Sequence, residues 1–365
     1  MKTHFATVAY RAATGARLWA STYQPGGYLR PAALTVSPDG ARVYVTADTI
    51  SAGHGGLVAY DARTGRQLWA SRYLPNGREF AVSGLAVSPD GTTVYLAGSL
   101  FHLQSEFAVV AYAAATGGER WLRYFTGKRG DAESVAVSPD GKTVYATGSA
   151  GSSALTVAYR AAGTLRWAAL YKDPYGLSAG FQIVAAPGGG AVYIAGKAEN
   201  NNGHFDDATF AYRAATGNRM WLDRRYARMP LGLLPEPGIA VTPGGDTVIV
   251  TVPLGQWRPA PYEIAAYSAG TGRTRWARLA PATYGNPSGL VISPHGDMMF
   301  TGGNRTTAYS VADGGVLWTT GYDRAFSGGG LVPGIIGLGG DGTRLFAARD
   351  KTGPRWGITI VAYQT

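Results

Sequence analysis

Apolar and polar residues alternate along this chain at a period of two, in short runs broken by Gly- and Pro-containing turns. The stretch 34–47, LTVSPDGARVYVTA, shows the form: two runs rich in Val, Leu, Tyr and Thr flank Ser-Pro-Asp-Gly. Runs of this length and composition predict β-strands, and Pro, Asp and Gly are the residues a tight turn needs. Close copies stand at 85–98, 135–148 and 290–303, and worn ones at 183–196 and 239–252. Nowhere does the pattern lengthen into the 3.6-residue period of an amphipathic helix.

A second phrase lies between these copies. VAYRAATGARLW at 8–19 returns as VAYDARTGRQLW at 58–69. Its tyrosine recurs as Tyr10, Tyr60, Tyr112, Tyr159, Tyr212, Tyr267, Tyr309 and Tyr363, at intervals of 42 to 55 residues. A Gly turn and then Trp follow the first seven, at Trp19, Trp69, Trp121, Trp167, Trp221, Trp276 and Trp318. Four short antiparallel strands in each such interval are the signature of a propeller blade. The chain is therefore expected to be all-β: a seven-bladed β-propeller with four antiparallel strands per blade, its ring closed by strands from both termini. The blades fall at about 32–73, 82–125, 133–171, 180–226, 237–279, 288–322 and 330–363 with 1–23. Residues 17–23 are expected to pair with strands of 331–363, leaving one terminal copy of the phrase surplus.

The pattern Ala-Tyr-x-x-x-Thr-Gly-x-x-x-Trp resembles the tryptophan-docking motif of the bacterial pyrroloquinoline-quinone-like propellers. Val43 to Thr46, within the Ser-Pro-Asp-Gly phrase, resembles the related YVTN repeat. The resemblance spans essentially the whole chain and implies that each repeat Trp packs on the next blade. The Asp that usually follows Ala-Tyr in that family survives here only as Asp61. Quinone-dependent members have eight blades, a catalytic Asp with calcium ligands and often a vicinal disulfide. This chain has seven expected blades, no cysteine and no matching calcium constellation. Pyrroloquinoline quinone is therefore not expected, nor any other cofactor; a divalent cation stays open.

Composition narrows the classes further. Apolar residues make up 45% and charged ones 15%, which suits a packed globular domain and excludes a disordered one. No apolar run reaches the roughly 18 residues of a membrane-spanning helix. The start lacks the apolar stretch of a signal peptide, so a cytoplasmic protein, or a secreted one with its leader removed, is expected. The net charge of +10 makes this a basic protein, but its Lys and Arg are scattered, so nucleic acid is not the expected partner. A monomer is expected.

Function is expected on the face of long, variable connections, opposite the Ser-Pro-Asp-Gly and Thr-Gly turns. Two tryptophans outside the repeat, Trp257 and Trp356, flank the shortest blade. They would wall a notch with Tyr284 and Asn286 beneath and Arg258, Arg305, Arg324 and Arg349 around it. Such a notch suits an anionic or aromatic small molecule; the alternative is that both tryptophans pack their own loops. Glu79, Asp131, Glu133 and Glu236 hold comparable inter-blade positions and are candidate acid–base residues, or caps for backbone amides. In KAENNNGHFDDA (197–208), Glu199, His204 and Asp206, with Asn200 and Asp207, could offer ligands to a cation; their spacing matches no metal motif, and a solvated polar loop is the expected reading. His295, replacing the turn Asp in its copy, reads as structural. Two functions follow. One is a propeller binding a small molecule, a glycan or a protein; the other is a lyase, hydrolase or cyclase in the same funnel.

Overall fold

The structure, a computed structural model, describes residues 5–10, 17–23, 29–49, 56–72, 78–101, 104–229, 237–254, 261–280, 289–302, 305–321, 335–338, 344–351 and 357–364. Every regular element among them is a strand. β1 (Phe5–Tyr10) and β2 (Arg17–Tyr23) form a two-stranded sheet. β3 (Leu29–Val36), β4 (Arg42–Thr49), β5 (Gly56–Asp61) and β6 (Gln67–Arg72) form the first sheet of four. The next is β7 (Phe80–Val87), β8 (Thr93–Phe101), β9 (Ser105–Ala113) and β10 (Glu119–Tyr124). β11 (Ala132–Val137), β12 (Thr143–Ala150), β13 (Ser153–Arg160) and β14 (Leu165–Tyr171) follow, then β15 (Ser178–Ala185), β16 (Ala191–Glu199), β17 (Phe205–Arg213) and β18 (Arg219–Met229). β19 (Gly238–Val241), β20 (Thr247–Pro253), β21 (Tyr262–Ser268) and β22 (Thr274–Ala280) come next. β23 (Gly289–Ile292), β24 (Met298–Gly302), β25 (Arg305–Ser310) and β26 (Val316–Gly321) complete six four-stranded antiparallel sheets. β27 (Ile335–Leu338), β28 (Arg344–Lys351) and β29 (Gly357–Gln364) make a sheet of three. Residues 17–23, expected to meet the C-terminal strands, pair in the described register with 5–10.

Contacts divide the chain into two compact units, Met1–Ala185 with Ala214–Asn218, and Ala186–Arg213 with Arg219–Thr365. In the first unit the middle strands are buried on both faces: eight of the nine positions of β8 are buried, whereas β14 alternates. Alternation thus survives where one face meets solvent and disappears where sheets cover both. The apolar cluster joining two sheets runs from Tyr44 and Leu57 through Phe80, Val94 and Val110 to Leu122.

The tyrosine–tryptophan phrase stitches neighbouring sheets together. The indole N–H groups of Trp19, Trp69, Trp121 and Trp167 donate to the carbonyls of Ala62, Ala114, Ala161 and Ala214 at 2.8–3.0 Å. In the second unit, Trp221 and Trp276 donate to Ala269 and Val311, each at 2.9 Å. Each ring lies on the turn glycine of the next copy, so a Cβ on Gly217 would sit 2.6 Å from Trp167 Cε3. That glycine also has φ +73°, a conformation L side chains rarely adopt. A large aromatic with a satisfied N–H gives such contacts both area and register.

The Ser-Pro-Asp-Gly turns share one internal network. Ser138 Oγ donates to Asp140 at 2.6 Å and accepts from the Thr143 amide at 2.9 Å. The Ser138 hydroxyl and the Lys142 amide hold the Asp140 carboxyl below the usual carboxylate range. In the copy with His295 the carboxylate comes from two residues later, as Ser293 Oγ donates to Asp297 at 2.6 Å. Thr242 does the same with Asp246 at 2.8 Å.

Candidate functional site

The chemistry concentrates in the second unit, where β16, β17 and β18 end beside β20 and β21. In a two-residue period, cross-strand partners share a face. Lys197 on β16 pairs in register with Asp207 on β17, and Asp207 pairs with Arg225 on β18. A cation, a carboxyl and a second cation therefore form a row on one face of the sheet. Asp223, two residues before Arg225, shares that face. Asp206 and Arg224 occupy the other, joined at 3.3 Å.

Lys197 and Asp207 are buried, at 1% and 4% exposure. Neither Asp207 oxygen has a hydrogen-bond partner. Burial pushes its carboxyl up to about 7, with Lys197 opposing the shift and Asp206 and Glu263 adding to it. Desolvation disfavours the charged form more than a single lysine can offset.

Arg225 does not turn to its cross-strand neighbour. Its Nη1 donates to Glu263 Oε1 on β21 at 2.5 Å, its Nε to the Tyr267 hydroxyl at 2.5 Å, and its Nη2 to Thr274 Oγ1 at 2.9 Å. Tyr267 in turn donates to Asp223 Oδ2 at 2.7 Å, and the guanidinium lies 5.2 Å from the tyrosine ring centroid. Burial and the neighbouring Asp223 carboxylate push the Tyr267 phenol well above its ordinary value. Arg224 is likewise engaged, its Nη2 donating to the Glu199 carbonyl at 2.8 Å and the Ala198 carbonyl at 3.3 Å.

These side chains wall a pocket of about 320 Å³, lined by Asp223, Arg224, Arg225, Val252, Leu254 and Glu263. Its charges are already cross-paired, which holds the polar groups in place before anything binds.

The KAENNNGHFDDA segment thus contributes Lys197 and Asp207 to this candidate site. Asn200 organises the β16–β17 hairpin: its side-chain oxygen accepts from the amides of Asn202 and His204, and its Nδ2 donates to Asp206 at 2.9 Å. Asp206 is held by Asn200 and Arg224, and among the described residues no group of three or more His, Asp or Glu could hold a metal ion. His204 Nδ1 is buried without a partner.

Of the four inter-blade carboxylates, Glu79 is exposed just before β7, and its carbonyl accepts from Phe101 N at 2.8 Å. Asp131 accepts from Ser99 Oγ at 2.6 Å and Glu133 lies half-buried in β11, while Glu236 lies outside the described residues. In the proposed notch, Trp257, Arg258, Tyr284, Asn286, Arg324 and Trp356 also lie outside them. Arg305 is exposed at the start of β25, and Arg349 is described only through its backbone pairing with Thr359. Arg225, Glu263 and Lys197 were not singled out from the sequence. The available signal was a charged residue where a middle strand elsewhere carries Ser99 or Ser149.

Comparison with known proteins agrees with this architecture. The family described as outer membrane protein assembly factor BamB matches residues 4–243 and 105–290. The chain belongs to that family, whose fold is the pyrroloquinoline-quinone-like β-propeller. Among solved structures it is similar to hydrazine synthase of Kuenenia stuttgartiensis, with 17% identity, 92% of this chain and 95% of that one covered, and a TM-score of 0.62. It is also similar to a periplasmic gluconolactonase of Pseudomonas aeruginosa, with 17% identity, coverage of 86% and 90%, and a TM-score of 0.56. BamB of Moraxella catarrhalis aligns with 15% identity, coverage of 91% and 85%, and a TM-score of 0.54. Likeness at these identities establishes the fold. No curated protein sequence matches the chain. Among the described residues no helix is long and apolar enough to cross a membrane.

Proposed function

We propose that this chain is a binding propeller, which takes a small polar ligand or a partner's side chain at the loop end of its sheets. We read β27–β29 as belonging to a seventh blade. The observation that carries the binding reading is the pocket between β18 and β20–β21, with Arg225 fixed by Glu263 and Tyr267. Polar groups held in place before binding lose little freedom on complex formation. The test is a thermal-shift titration of the intact chain with amines, amino acids, sugars and organic acids. A saturable rise in Tm with one class, absent in Glu263→Ala, supports the reading; no rise with any class overturns it for small ligands.

One observation favours the enzymatic alternative. A carboxyl that ionises at about 7 is suited to proton transfer at neutral pH. Under that reading the compound that raises Tm is also consumed on incubation, and Asp207→Asn abolishes the turnover while leaving the Tm shift in place.

A further inference from the structure

Building on the binding reading, we propose that the pocket recognises a primary ammonium or guanidinium carried on a short aliphatic stem. The argument is an account of donors and acceptors. Each guanidinium nitrogen of Arg225 already donates, to Tyr267, Glu263 and Thr274. Arg224 turns its Nη2 onto two carbonyls and Asp206. The cations of the wall are therefore all charge-matched within the protein, although Arg225 keeps two of its five N–H groups.

The carboxylates are not. Glu263 uses Oε1 for Arg225 and Asp223 uses Oδ2 for Tyr267, which leaves each a second oxygen at the pocket wall. Behind them Asp207, more than nine-tenths buried, faces Glu263 and has no donor on either oxygen. An acceptor-rich wall backed by an unsatisfied buried carboxyl calls for a ligand rich in N–H donors. Val252 and Leu254 give the stem an apolar surface.

Charge balance points the same way. Among the described residues Asp206, Asp207, Asp223 and Glu263 stand against Lys197, Arg224 and Arg225, so with Asp207 ionised the cluster lacks one cation. A bound ammonium supplies it. The charged groups on the face of Asp207 are Lys197 on β16, Asp223 and Arg225 on β18 and Glu263 on β21, with Asp206 next to it on the opposite face of its own strand. A cation added here favours the ionised carboxyl, so binding below neutrality releases a proton to solvent and affinity rises with pH.

The test is isothermal titration calorimetry of the intact chain with putrescine, agmatine and Nα-acetyl-lysine methylamide, in buffers of different ionisation enthalpy at pH 6.5, with glutamate as the anionic probe. We expect saturable binding of the amines, weakened about ten- to a hundredfold in Glu263→Gln, with proton release that disappears in Asp207→Asn. Asp223→Asn serves as a second pocket variant should Asp207→Asn fail to fold, and is expected to weaken amine binding as Glu263→Gln does. Tighter binding of putrescine than of the lysine derivative identifies a free amine as the ligand; the reverse order identifies a basic side chain of a partner. Binding of glutamate but not of the amines overturns the cation class and leaves the binding reading intact. Amine affinity unchanged in both Glu263→Gln and Asp223→Asn, or no binding by any amine, overturns the proposal.

Discussion

Arg225 lies directly across the β17–β18 ladder from Asp207, yet gives its guanidinium to Glu263 at 2.5 Å and leaves the Asp207 carboxyl without a hydrogen bond. The preference has a physical cause. Glu263, Tyr267, Asp223 and Thr274 together satisfy the planar fork of an arginine in a way one buried carboxyl cannot. What the arrangement costs is an ionisable group held in a low-dielectric interior.

That cost predicts a pH dependence of stability. Asp207 ionises at about 7 when folded, against an ordinary 3.8. Between those values the folded chain keeps a proton that the unfolded chain has lost. The stabilisation from this group is therefore complete below 3.8 and is lost as pH rises through about 7. Asp207→Asn keeps the neutral shape, so its urea-unfolding free energy should lack the decline between pH 4 and 7. The two profiles should diverge by something on the order of 4 kcal/mol across the window. Parallel profiles for the two proteins would show that Asp207 is ionised throughout.

Tyr267→Phe tests the frame around Arg225. It removes the hydroxyl that accepts from Arg225 Nε and donates to Asp223. A loss of about 1–2 kcal/mol in urea unfolding is expected, together with weaker amine binding, because Arg225 is no longer fixed. A variant as stable as the parent and unaltered in binding would show the hydroxyl to be dispensable.

The tryptophan contacts predict a steric effect within the first unit. Gly217→Ala would place a Cβ 2.6 Å from Trp167 Cε3, on a residue with φ +73°. Thermal unfolding should reveal a loss of about 1–3 kcal/mol. Ala at Gly188, where the space around a Cβ is open, serves as the mild control.

The displaced turn carboxylate predicts a rescue. Asp297→Ala removes the acceptor of Ser293 and should lower stability by about 1 kcal/mol. Adding His295→Asp restores an acceptor at the position that Asp39 holds relative to Ser37. Tm should return most of the way in the double variant. No recovery would mean that the turn needs the later carboxylate for more than this bond.

The sequence determined the strands, their turns and the family. Those features are local: a period of two, Pro and Gly at fixed offsets, and a Trp placed so that any chain folding this way meets the next copy's turn at Ala62, Ala114 or Ala161. It also marked the 197–208 segment as unusual, though as ligands for a cation. Tertiary structure alone decided which of its groups meet. Lys197, Asp207 and Arg225 are not adjacent in sequence and become neighbours only through the register of β16, β17 and β18. Glu263 joins them because the next sheet packs on that face. Burial, which moves Asp207 toward neutrality, belongs to the assembled interior and has no counterpart in the order of residues. Local chemistry is written along the chain; partners across strands and the dielectric around them exist only once it has folded.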